Sequence, residues 1–300
     1  DLQALAEGTP AAAYIQPSDY LYLYNDRAQF EGDSFAWGIR RDHGIEWDGL
    51  EGPAMQSYDP IFSDRIRFGV RMGNHGRIAD PGAYVKALAE EAERLGAQIL
   101  KADVTDVTQE NGRVTGLKLG TTHIAAQDIA ITTGVWSKAL AAKLGVDVPL
   151  ETERGYHVEL WDPSDMPRAP VMVASGKFVI TPMTGRLRLA GVVEFGGLEA
   201  APTRPPVELL MKNLRAALPN LTWAKQTEWM GHRPAPADSI PLIGEAPRLK
   251  GAWMGFGHHH IGLTGGPKTG QWLSGLITGQ KPNVDLTPYS PARFASRGQG

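Results

Sequence analysis

The sequence predicts a mixed α/β (α+β) protein built from two layers of different character. Helix and strand patterns alternate between residues 80 and 145, which suits an α/β layer, and a run of strands from 150 to 230 suits an antiparallel sheet. A third observation is the glycine-rich stretch that opens an apolar helix within 255–279, placed by chain order back against the first layer.

Taken in order, residues 1–79 read as aromatic and irregular, with Tyr20-Leu21-Tyr22-Leu23-Tyr24 as the one clear strand. Asp80-Pro81 is a helix start, because Asp accepts from free first-turn amides and Pro suits the first helical position. Tyr84, Leu88, Ala92 and Leu95 recur at helical spacing, and Gly96 ends the helix. Strands are predicted at 98–101 and 104–108, followed by the two-residue hairpin turn Asn111-Gly112 and a return strand at 114–119. Residues 128–132 form a further strand running into Thr133-Gly134, and 136–144 a short helix. Beyond Pro149, strands are predicted at 158–160, 177–181, 186–193 and 226–230, with a loop and helix over 202–218. The proline-rich tail after Lys281 wraps or frays.

Composition removes several function classes. The 300 residues carry 30 basic and 33 acidic side chains, a net charge of −3, with no long single-sign run, which argues against a nucleic-acid partner. The chain has no cysteine, so disulfides, thiolate metal sites and a cysteine nucleophile are excluded. No apolar run reaches the roughly 18 residues a membrane span needs, and the start has neither the basic region nor the apolar run of a signal peptide. An initiator Met is missing, so the native N-terminus is expected to lie upstream.

Three constellations carry chemistry. The first is Arg233-Pro234, expected at a strand end and held by a turn, followed by Asp238 and Pro241-Leu242-Ile243-Gly244. A guanidinium fork binds a carboxylate through two parallel hydrogen bonds; the alternative is a surface Arg in a proline-rich loop. The second is the segment from Gly255 to Gly270, where small residues opening a helix admit an anionic group. Its Gly-Pro-Lys-Thr order breaks the phosphate-loop pattern, and His260 breaks G-x-G-x-x-G. His258, His259 and His260 invite a metal reading, but adjacent residues do not face one another, so no metal is expected; the alternative is a turn with surface histidines. The third is the strand ending in Thr133-Gly134-Val135-Trp136-Ser137, a place where α/β sheets hold ligands and equally an ordinary strand end.

In this order and spacing, Gly134-Val135-Trp136-Ser137, Arg154-Gly155-Tyr156, Arg233-Pro234 with Asp238, and Gly257-His258 resemble the glycine oxidase, sarcosine oxidase and D-amino-acid dehydrogenase family of FAD enzymes, over residues 20–279. The resemblance implies an incomplete, Rossmann-like FAD-binding domain at 80–148 and 245–285 and an antiparallel-sheet substrate domain at 10–79 and 149–244. It implies oxidative deamination of amino acids, D-amino acids first, with hydride leaving Cα for flavin N5. It makes Arg233 the substrate-carboxylate clamp and His259 a second catalytic candidate. Phe178, Val179 and His260 would line the substrate pocket. Val104, Thr133, Gly134, Trp136, Gly257, His258, His259, His260, Ile261, Gly262, Leu263 and Thr264 would neighbour the cofactor. Without cysteine a thioether flavin linkage is impossible, so FAD would be noncovalent.

One departure is large: the family's initial strand, G-x-G-x-x-G turn and helix, which hold the pyrophosphate, are not in these residues. The resemblance then implies weak FAD binding by this chain alone. Two alternatives stay open: a secondary-amine oxidase acting on sarcosine, glycine or proline-like substrates, and an inactive fragment or a subunit completed by another polypeptide. The expected partners are a small amino acid and a second copy of the chain, and the expected location is the cytoplasm, including the inner face of the membrane.

Overall fold

The structure, a computed structural model, describes residues 1–295. In chain order the elements are α1 (Leu2–Ala6), β1 (Ile15–Tyr24), α2 (Arg27–Gly32), α3 (Ser34–Asp42), β2 (Asp48–Glu51), α4 (Pro53–Tyr58), β3 (Phe68–Ile78), α5 (Pro81–Arg94), β4 (Asp106–Glu110), β5 (Arg113–Leu119), β6 (Thr122–Ala125) and β7 (Ile129–Ile131). They continue with α6 (Ser137–Lys143), β8 (Leu150–Trp161), β9 (Val171–Val173), β10 (Phe178–Met183), β11 (Arg186–Glu194), α7 (Pro205–Ala217), β12 (Lys225–Pro236), β13 (Leu242–Glu245), β14 (Ala252–Phe256) and α8 (Gly262–Ile277).

The mixed α/β architecture expected from the sequence is present. An eight-stranded sheet runs β12-β8-β11-β10-β9-β1-β3-β2. Its pairings are antiparallel except for β1 against β9, which corrects the purely antiparallel expectation. The first 79 residues are not irregular: they supply three of these strands and four short helices, with Tyr24, Trp37 and Phe68 in an aromatic cluster. The pattern was illegible there because the aromatic side chains of β1 lie on a face covered by local helices.

Alternation gives the sheet two faces. Val158, Leu160, Phe178, Ile180, Leu187 and Leu189 point to one side and form the main core with Val207, Leu210 and Leu214 of α7. The opposite face of the same strands carries His157, Glu159, Val179, Arg188 and Ala190, all partly exposed.

A second core belongs to β7, β13, β14 and α6, with Ile129, Ile131, Val135, Met254 and Phe256. Here β7 and β14 run parallel, Ala252 opposite Ile129 and Met254 opposite Ile131. Their carboxyl ends lead side by side into the segments beginning at Thr132 and at Gly257. The third sheet, β4-β5-β6, turns at Asn111 (φ 50°) and Gly112 (φ 73°), both in the left-handed region that a tight hairpin demands. The tail wraps: Arg293 holds Asp238 at 2.8 Å, and Asp147 N donates to Phe294 O.

The predicted strand at 98–101 does not form. Residues 97–105 belong to no helix or strand, and Ile99 and Leu100 are exposed; among the described residues only Thr105, bonded to Lys118 O, meets the neighbouring sheet. The neighbouring strand starts at Asp106 instead of Val104.

Helix α5 is capped as expected, with Asp80 Oδ1 accepting from Ala83 N at 3.0 Å. The other Asp80 oxygen lies 3.1 Å from Arg186, whose Nε also reaches Glu159 at 2.9 Å, so one guanidinium ties the helix start to the sheet. Its side chain is only 8% exposed and its charge rests on these two carboxylates. Arg186→Ala is expected to lower stability by about 3 kcal/mol, because it strips a buried charge network of its centre. Urea unfolding of the variant measures this, and a loss under about 1 kcal/mol would show the network to be solvated.

Candidate functional site

The site is built on the pairing of β12 with β8. Twelve residues of each strand match without a break, from Lys225 opposite Trp161 to Pro236 opposite Leu150. Three rows on the face away from α7 follow from that register: Trp229 opposite His157, Gly231 opposite Gly155, and Arg233 opposite Glu153. Arg233 therefore sits inside a long strand, not at a strand end held by a turn. Pro234 and Pro236 are tolerated because β12 is an edge strand and their missing N–H groups break no inner ladder.

The Arg233 head lies diagonally across Gly155. A Cβ at Gly155 would overlap the guanidinium carbon and both terminal nitrogens, so only glycine leaves room for it. Arg233 is half-buried, and burial lowers its pKa, with Glu153 opposing that shift. Among the described residues no carboxylate lies within 4.0 Å of it, whereas Arg154, Arg186, Arg188 and Arg293 each have one.

The two candidates over the substrate pocket separate by strand parity. Phe178 is fully buried in the core under α7, which corrects its assignment to the pocket. Val179 points the other way, into the row Val179–Ala190–His157–Trp229. His157 stacks on Trp229 at 5.0 Å and 26°. Burial, then the neighbouring Arg188 charge, push its pKa down to about 4, leaving a neutral ring.

The histidines of the late loop are not three equivalent surface groups. His258 is half-buried, its Nε2 2.8 Å from Thr269 Oγ1, and burial lowers its pKa. His259 holds a left-handed backbone (φ 51°), donates its N–H to Pro234 O at 3.0 Å, and sets Nε2 3.3 Å from Pro236 O and Nδ1 3.7 Å from Glu153 Oε1. His260 is exposed and meets the His259 ring edge-on at 6.4 Å. Gly257 (φ 87°) makes this approach feasible, since a Cβ there would meet Pro236 Cγ at 2.7 Å.

The segment after β7 runs beside β14, and its Trp136 reaches the face of β12 opposite to that of Arg233. A Cβ at Gly255 would lie 3.4 Å from Thr132 Cγ2, so the two strand ends touch. Thr133 Oγ1 bonds Ser137 Oγ at 3.0 Å, and Gly134 (φ 60°) faces open space. Trp136 is 60% exposed with its ring edge against His232 at 5.8 Å. Ile261 precedes α8, and Gly262, Leu263 and Thr264 form its first turn. Gly262 and Leu263, with Gly266 and Gly270, line an apolar cleft of about 670 Å³ closed by Leu5, Tyr84 and Leu88. The buried Tyr84 hydroxyl has no hydrogen-bond partner among the described residues. Val104 is half-buried in the segment before β4 and belongs to neither loop.

Sequence reasoning missed Glu153, His157 and Trp229 as site residues and treated Gly155 only as part of a motif. The alternation of residues 153, 155, 157 and 159 against the apolar set 156, 158 and 160 was the available signal. Among the described residues no group of three or more His, Cys, Asp or Glu side chains is placed to hold a metal ion. No helix among them is long and apolar enough to cross a membrane.

The region thus combines parallel strands leading into glycine turns, a helix opening with small residues, a guanidinium with no carboxylate within 4.0 Å among the described residues, and an apolar cleft. The family described as FAD dependent oxidoreductase (DAO) matches residues 2–276. A D-amino-acid oxidase of Bradyrhizobium diazoefficiens is 35% identical over 294 residues, covering 97% of this chain and 70% of that protein. A glycine oxidase of Pseudomonas putida is 28% identical, covering 87% of this chain and 71% of its own length. The crystal structure of glycine oxidase from Bacillus cereus superposes with a TM-score of 0.85 at 23% identity, covering 99% of this chain and 81% of that one. The chain belongs to the FAD dependent oxidoreductase family.

His157 gives the site a pH signature. In the unfolded chain its imidazole takes a proton near the ordinary pH 6.5, but in the fold only near pH 4. The unfolded state thus binds the extra proton in that window, so the stability present above pH 6.5 falls as pH drops toward 4. Melting temperatures measured across this window should fall less steeply for His157→Gln than for the parent; parallel curves would mean the ring titrates freely.

Proposed function

We propose that the protein oxidises the Cα–N bond of amino acids, D-amino acids first, with Arg233 as the clamp for the substrate carboxylate. The observation that carries this reading is the half-buried Arg233 guanidinium over Gly155 with no carboxylate within 4.0 Å among the described residues. A planar fork left unpaired in a partly dry setting favours a bidentate anionic ligand. The similarity to a D-amino-acid oxidase supports the D preference.

The residues present fit FAD in three respects: the left-handed Gly134 with open space above it, the glycine-opened α8, and the cleft lined by Gly262, Gly266 and Gly270 beside an unpartnered Tyr84 hydroxyl. In this reading Thr133, Gly134, Trp136 and the stretch 257–264 neighbour the cofactor, which supplies the two-electron acceptor when bound. The wider division is proposed likewise, with 80–148 and 245–285 as the cofactor part and 10–79 and 149–244 as the substrate part; the second parallel-strand core and the eight-stranded sheet support it.

The chain's own contribution is orientation. Arg233 fixes the carboxylate and thereby the position of Cα, which supplies much of the rate in such a reaction. Trp229, Val179 and the neutral His157 give the substrate side chain a wall without a fixed charge, favouring neutral amino acids. The exposed Leu95, Ile99 and Leu100 support association with a second copy, and a cysteine-free chain suits a cytoplasmic setting, including the membrane's inner face.

The test is Arg233→Met in the FAD-loaded enzyme. KM for a neutral D-amino acid is expected to rise about a hundredfold or more, the loss of a bidentate charged contact. An unchanged KM would sink the clamp. Gly155→Ala, which displaces the same head without removing it, should raise KM by a smaller factor in the same assay.

A further inference from the structure

Glu153 stands opposite Arg233 in the β8–β12 register, yet the two heads are not within 4.0 Å of each other. The Arg233 head instead lies over Gly155, one diagonal step along β8. A cation and an anion are thus presented side by side on one sheet face, on rigid strands, without neutralising each other. An α-amino acid carries its own anion and cation on neighbouring atoms.

His259 adds a direction for a proton. A carbonyl oxygen only accepts, so the contact of His259 Nε2 with Pro236 O places the ring proton on Nε2. The free basic nitrogen is then Nδ1, 3.7 Å from Glu153 Oε1. The backbone bond from His259 N to Pro234 O fixes the ring beside the strand that carries Arg233.

Building on the carboxylate clamp, we infer that Glu153 is a catalytic residue that receives the substrate ammonium, with His259 behind it as a positioning residue and proton store. The ammonium N–H bond breaks, the proton passes through the Glu153 carboxylate to His259 Nδ1, and the substrate is left as the neutral amine that oxidation requires. No electron moves in this step. The resulting imidazolium is held by the Glu153 carboxylate, which is again an anion. Arg233 and Glu153 together select zwitterions over simple acids, because a ligand with a carboxylate alone leaves Glu153 facing a like charge.

Calorimetric titration of the 300-residue chain tests this without turnover. The two probes are D-alanine and propionate, which differ in the amine. Glu153→Gln is expected to weaken D-alanine about tenfold or more while propionate binds as before or more tightly, since a charge-assisted contact is lost for one ligand only. Equal effects on both probes, or none on either, would overturn the inference. Arg233→Met should weaken both probes; if it weakens neither, the clamp fails, a result separable from that of Glu153. A parent chain that binds neither probe overturns both. Thermal melting checks that each variant folds, and Glu153→Asp, which keeps the charge, should retain discrimination should the Gln variant unfold.

Discussion

The unbroken register between β8 and β12 is the constraint on which the site depends. A slip of β12 by one residue would exchange its two faces. Arg233 would then point toward the α7 side, where Tyr156, Val158 and Leu160 pack, while β8 stays held by its pairing with β11. Burial of that apolar face fixes the register, and so a core that never meets substrate decides where the guanidinium stands. The edge position of β12 completes the logic. Its prolines refuse another strand, and their carbonyls are taken by His259, so the loop after β14 closes the sheet edge and enters the site in one move.

Charge is distributed unevenly over this frame. Arg154 is buried at 1% exposure and held by Glu194 and Ala201 O, Arg186 by Asp80 and Glu159, and Arg188 by Glu159 again. These pairs follow the rule that buried charges are compensated. Arg233 departs from it on the same sheet, within one residue of Arg154 across the strand pair. Partial desolvation without a partner is an unfavourable state that a ligand relieves, and such departures cluster at functional positions.

The sequence marked the candidate residues before it showed their surroundings. Arg233-Pro234, Gly134 and the glycine-opened helix were readable because each is local: residue type and near neighbours carry the signal. Glu153 was not, because its meaning lies in a partner 80 positions away, fixed by the pairing of Arg233 with it. The choice between Phe178 and Val179 was half-legible. Adjacent strand residues face opposite sides, but only the α7 core shows which side is closed. The capped start at Asp80 and the Asn111-Gly112 turn came through intact, since a cap and a tight turn are local bonds. The strand expected at 98–101 failed for the opposite reason: propensity does not supply the neighbouring backbone that a ladder needs.

The same contrast bears on how the site works. In the proposed reading, local motifs place the groups that neighbour the cofactor, on turns and at a helix start where backbone amides are free. The proposed substrate side is set by long-range strand pairing, which is stiffer and less tolerant of displacement. The arrangement suits a reaction in which the redox chemistry is the cofactor's and the protein must hold one carbon in place. Gly155 shows how narrow that tolerance is: one methyl group there would occupy the space of the Arg233 head. Gly257 does the same for the loop, where a methyl would strike Pro236 and lift His259 from Glu153. Two absent side chains, one in a strand and one in a turn, therefore bring the guanidinium, the carboxylate and the imidazole to a common place.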